Sequence, residues 1–219
     1  MSEQIGFVQG ESAISLPIWS VNHFLDNTAS NYIKLISLRQ ICRRFADGAE
    51  DQDFLICVNS YDLFPAQDDL HYREDDLVVL ARKDQSAENF WHYFRHLHRP
   101  VVLFRERDRL IPAYPIESDT SLKIRSLSLQ SPVTFSLQGA IGALVDLFSG
   151  KILDQRKNER NAQALTNIRN IVETSHLIEN RSTPPGVRDF AVDQLEAVMQ
   201  KQQKINLKLG ICNPRFGED

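Results

Sequence analysis

Residues 121–138, SLKIRSLSLQSPVTFSLQ, carry the pattern that most narrows the fold. Leu122 and Ile124 alternate with Lys123 and Arg125. The phase then slips, so that Leu127 and Leu129 alternate with Ser126, Ser128 and Gln130. Successive side chains of a strand point to opposite faces, so a one-residue slip demands a bulge near Arg125-Ser126. After Ser131-Pro132, Val133, Phe135 and Leu137 alternate with Thr134, Ser136 and Gln138. The simplest structure is a bent hairpin. A helix over about 140–148 follows, with Ile141, Leu144, Val145 and Phe148 on one face. Gly139 and Gly142 fit neither the dinucleotide fingerprint nor the P-loop, and read as small residues that let a helix approach the sheet.

The last third reads as helical. Ala164, Ile168, Ile171, Val172, Ser175 and Ile178 share one stripe; Val187, Ala191, Leu195, Val198, Met199 and Ile205 share a second. A turn at 180–183 and the restart at Pro184-Pro185-Gly186 join them into an antiparallel helical hairpin. Upstream, DQRKNERN at 154–161 holds no apolar residue and is either an exposed loop or a helix crossing solvent.

The front of the chain is mixed. A short helix over 19–25 breaks at Asn27-Thr28, and a longer one spans 30–45, with Leu35, Leu38, Ile41, Cys42 and Phe45 on its apolar face. Gly48 is placed to close it. Strands at 53–59, 77–81 and 100–105 flank a helix at 88–98. The strand–helix–strand order over 77–105 predicts a parallel crossover. An extended piece follows at 110–116. The fold class is therefore α+β. A small mixed sheet with helices occupies an acidic region, 1–120, and a β-hairpin plus helical hairpin occupies 121–219.

Charge and cysteines bound the function. Residues 1–120 hold 12 Lys+Arg against 19 Asp+Glu, while 121–219 hold 13 against 10. A net charge of −4 argues against a bulk polyanion binder. Arg39, Arg43 and Arg44 on one helix, and Lys151, Arg156, Lys157 and Arg160 near the polar segment, make too weak a stripe to read as a nucleic-acid surface. Cys42 and Cys57 lie in apolar runs and Cys212 in a polar tail, with no spacing for zinc or a disulfide framework. This fits a reducing compartment. The first twelve residues lack a basic, then apolar, leader pattern, and the apolar stretch 133–148 is too short and polar to span a bilayer. The protein is expected in the cytoplasm, with no cofactor.

Two readings of function remain. His92 and His96 are four apart in FWHYFRHLHRP and could share a metal with His71 or Asp76 from the acidic stretch around Asp68-Asp69 and Asp75-Asp76, giving a metal-dependent hydrolase. Phe90, Phe94 and Leu97 occupy the opposite, core-facing side, which makes the histidines solvated. The favoured reading is a non-enzymatic interaction or regulatory module. It would form a homodimer through an apolar edge of the helical hairpin lined by Leu165, Val172, Val192, Leu195 and Met199.

The segment SLKIRSLSLQSPVTFSLQGAIGALVDLFSG, residues 121–150, is similar to a group of uncharacterised bacterial proteins, many of them cyanobacterial. The resemblance implies a bacterial origin and assigns no residue a role.

Overall fold

The computed structural model describes residues 4–58, 74–80, 85–107, 109–114, 121–130, 132–148, 173–180 and 182–218. In chain order these form β1 (Ile5–Ser12), α1 (Ile18–Ala46), β2 (Phe54–Cys57), β3 (Leu77–Val79), α2 (Gln85–His96), β4 (Val101–Glu106), β5 (Arg109–Pro112), β6 (Lys123–Ser128), β7 (Thr134–Ala140), α3 (Ile141–Phe148), α4 (Glu173–Ile178), α5 (Pro185–Lys208) and β8 (Ile211–Glu218). The fold is α+β. The chain divides into two interleaved units. One comprises Met1–Tyr32, Ser118–His176 and Leu195–Asp219; the other comprises Ile33–Glu117 and Leu177–Gln194. Neither unit is a single stretch of chain: the first 32 residues join the C-terminal half, and residues 177–194 join the front half.

The first unit holds an antiparallel sheet ordered β6-β7-β1-β8. The hairpin β6–β7 carries its bulge between Ile124 and Ser126, where the phase slip required it. Strands β1 and β8 complete the sheet from the two ends of the chain. On the inner face Phe135 meets Phe24 of α1, with ring centroids 5.0 Å apart, and Phe148 of α3 at 6.0 Å. Tyr32 of α1 accepts the Ala140 N–H at 2.6 Å. A Cβ on Gly139 would lie 2.5 Å from the same phenolic oxygen, so the small residue there makes room for α1.

Asn27-Thr28 does not break α1, which runs unbroken from Ile18 to Ala46. The polar pair is satisfied, Asn27 within the helix and Thr28 by another helix. The Asn27 amide donates to the His23 carbonyl one turn back at 2.8 Å. Thr28 Oγ1 accepts from Gln202 Nε2 of α5 at 3.0 Å. That same amide nitrogen reaches Asn206 Oδ1 at 3.0 Å, and Gln202 Oε1 accepts from Asn31 Nδ2 at 2.9 Å. Thr28, Asn31 and Gln202 are buried, so a polar layer, not an apolar stripe, sets the register of α1 on α5.

The second unit holds the sheet β3-β2-β4-β5. Both β3 and β4 pair antiparallel with β2. They therefore run parallel to each other with β2 between them, and α2 makes the crossover. The crossover direction is as expected, but every ladder is antiparallel, because β2 inserts where direct pairing was expected. Phe54 and Phe104 share the face that meets Phe45 of α1. Leu55, Cys57 and Leu103 on the other face are buried too.

The turn after α4 forms as expected: the Asn180 side chain accepts the Ser182 N–H at 3.0 Å, and α5 starts at Pro185. Gly210, at φ 61°, then turns the chain from α5 into β8, which the sequence did not reveal. The stripe residues up to Val172, and the polar segment 154–161, lie outside the described residues.

Replacing Gln202 with Ala strands two buried partners on α1. Urea unfolding is expected to show a loss of about 3 kcal/mol, the scale of unsatisfied buried groups plus a small cavity. A loss near zero would show that water repairs the layer.

Candidate functional site

The sequence-derived candidates disperse. His92 and His96 are exposed on α2, rings 4.4 Å apart, while Phe90 and Phe94 are fully buried, as the phase required. Among the described residues no group of three His, Cys, Asp or Glu is placed to hold a metal; His71, Asp68 and Asp69 lie outside them. Cys42 and Cys57 are buried free thiols. Burial pushes the Cys42 thiol up to about 12, which leaves it protonated and inert at neutral pH. The side chain of Cys212 lies outside the described residues.

The basic helix set dissolves as well. Arg39 is fully buried, and Arg44 lies over the Phe104 ring with Glu106 at 3.8 Å. Helix α1 is buried around its circumference over 30–42 apart from half-exposed Gln40, so the single apolar face expected there is a correction. Tyr32 and Ile36, outside that face by phase, are as buried as Leu35 and Leu38.

Leu195 and Met199 are covered within the chain, at 4% exposure each, and Val192 is half-buried. Leu165 and Val172 lie outside the described residues.

Exposed apolar area collects elsewhere in the first unit. The run ISLPIW at 14–19 carries Ile14, Ile18 and Trp19, the last 68% exposed. Leu16 of the same run is half-buried against a small apolar cavity with Val21, Phe24 and Leu127. The run is tied to the end of α5: the Ala13 N–H donates to the Gly210 carbonyl at 3.0 Å, and the Gly210 N–H to that of Leu207 at 3.1 Å. Leu207 is 71% exposed. Across the outer face of the same sheet run Ser126, Ser136, Gln9 and Arg215, in register, bordering a polar hollow of about 410 Å³.

The second unit carries a groove of about 550 Å³ on the face of its sheet opposite Phe54 and Phe104. Leu77 and Val79 of β3, Leu55 of β2 and Leu110 of β5 line it, with Arg105, Arg107 and Arg109 of the β4–β5 hairpin. Arg105 pairs across the ladder with Leu110, which puts both on this face. Glu106 points the other way, to Arg44. Arg109 pairs with Glu106, and borders the groove at the hairpin end. Arg107 is the first central residue of the two-residue turn and holds φ 57°. Such turns favour Gly or Asn, and a side chain with a Cβ there costs about 1 kcal/mol. The charged string RERDR hid this groove, because it reads as a solvated turn until the register is known. No protein-family model, curated protein or solved structure matches the chain.

In the native protein Cys42 and Cys57 are expected to react with a thiol reagent only on the timescale of unfolding. Fast modification without loss of structure would contradict their burial. Replacing His92 and His96 by Gln is expected to change stability by less than about 0.5 kcal/mol. Elemental analysis of both proteins checks the metal reading, which a stoichiometric metal lost in the variant would restore.

Proposed function

We propose that the protein is a non-enzymatic interaction module whose partner is a second copy of the chain. The observation that carries this reading is the exposed run Ile14, Ile18 and Trp19, tied by hydrogen bonds to the end of the C-terminal helix that carries Leu207. Singly exposed apolar residues are ordinary; three within six positions, ending in an exposed tryptophan, are the composition of an interface anchor. Two copies related by a two-fold axis would bury this surface against itself, the commonest closed arrangement. The C-terminal helix thus keeps its place in the interface, through Leu207 instead of Leu195 and Met199.

Sedimentation at tens of micromolar tests the reading. The wild type is expected as a dimer, and Ile18→Glu with Trp19→Ala as a folded monomer. In a Trp91→Phe background Trp19 is the single tryptophan, and its quenching by acrylamide should fall as the chain is concentrated. A wild type that stays monomeric, with Trp19 equally quenched at all concentrations, overturns the second copy as partner.

A further inference from the structure

We propose that the groove of the second unit binds an amphipathic anion, with a phosphate-type head held by Arg105 and Arg107 and an aliphatic chain along Leu55, Val79 and Leu77. The inference is independent of the self-association reading, since it rests on residues of the other unit. Three features carry it. The volume, about 550 Å³, is that of a small-molecule site. The lining is divided end to end: Leu55, Leu77 and Val79 lie on β2 and β3, and the arginines, with Leu110 beside Arg105, belong to the β4–β5 hairpin. Strands lie about 4.8 Å apart, so an apolar chain whose head is held at β4 crosses β2 to β3 over about 10 Å of aliphatic lining. The third feature is Arg107 itself. A residue with a side chain holds a backbone conformation that suits glycine, and the consequence is a second guanidinium beside Arg105.

Charge complementarity fixes the head. Arg105 and Arg107 make no ion pair among the described residues, and Glu106 is turned to the opposite face by Arg44. A doubly charged oxyanion with three acceptor oxygens matches two or three guanidinium groups better than a single carboxylate does. Among the described residues the aliphatic lining offers no aromatic platform, which disfavours single-stranded nucleic acid. An acidic peptide would spread its charge along the groove, whereas the cations sit at one end.

Titration calorimetry on the full chain tests the assignment with decyl phosphate below its micelle threshold, inorganic phosphate and decanol. Decyl phosphate is expected to bind, and each fragment alone to bind at least about a hundredfold more weakly. Arg105→Gln should weaken decyl phosphate by about tenfold, the scale of one charge-assisted hydrogen bond. Arg107→Gly relieves the turn, so it should weaken binding while leaving the melting temperature equal or higher. That combination separates ligand contact from structural damage. Vesicles containing phosphatidic acid distinguish the source: co-sedimentation lost in Arg105→Gln assigns a lipid headgroup, and binding of the free amphiphile alone assigns a soluble one. Binding of neither, equal binding of decanol, or binding of an oligoglutamate peptide in preference to decyl phosphate overturns the proposal.

Discussion

The structure depends on satisfying the polar groups that α1 takes into the interior. Asn27, Thr28, Ser30, Asn31, Lys34, Ser37 and Arg39 are all buried along one helix, and of these side chains Ser37 Oγ and Asn31 Oδ1 find no partner among the described residues. Water is unavailable to them, and an unmet donor or acceptor costs about 1–3 kcal/mol. The elements that pack on each half of α1 are therefore selected for their polar groups as well as their apolar ones. In the first unit Gln202 of α5 answers Thr28 and Asn31. In the second, Lys34 Nζ donates to the Arg95 carbonyl at 2.7 Å, at the end of α2 where helix carbonyls lack intrahelical partners. A helix held this way has little freedom to slide, because a shift of one residue would break bonds as well as packing.

The same constraint explains what the sequence could and could not reveal. Where burial follows a simple period, the reading succeeds: the β6–β7 bulge, the α3 helix and the inward Phe90 and Phe94 all follow from phase. Where polar residues are buried, it fails. Asn27-Thr28 looks like a break because these residues compete with the helix locally; only Gln202, 174 positions from Thr28, makes them acceptable. Strands β1 and β8 were invisible for a related reason. Gly6 and Gly10 interrupt the apolar alternation of β1, and its partners lie at 134–140 and 211–218. A Cβ on Gly6 would lie 2.6 Å from the Gly217 carbonyl, so the residue that looks like a strand breaker is required by the pairing.

The candidate surfaces were illegible for a different reason. Leu195 and Met199 have the spacing of an interface stripe, yet a stripe states only that one side of a helix is covered, not by what. Here the chain covers it. Ile14, Ile18 and Trp19 surround Pro17, where periodicity cannot assign faces, so their exposure emerges only with coordinates. Arg105 and Arg107 become neighbours of Leu55 and Val79 through the β2–β3 and β2–β4 ladders, which join residues 20 to 50 positions apart.

The two surfaces belong to different units and draw on different physics. An interface built on Trp19 and Ile18 gains its free energy from apolar area removed from water, a term to which simple salt matters little. A groove headed by exposed arginines gains from charge, which is screened over roughly 8 Å at physiological ionic strength. An apolar tail laid on half-buried Leu77 and Val79 would be held by the removal of apolar area from water, a term that salt does not screen. Raising salt therefore acts on the head of a bound amphiphile and not on its tail. In such a complex the arginines would select among anions, and the tail would supply the part of the affinity that salt leaves untouched.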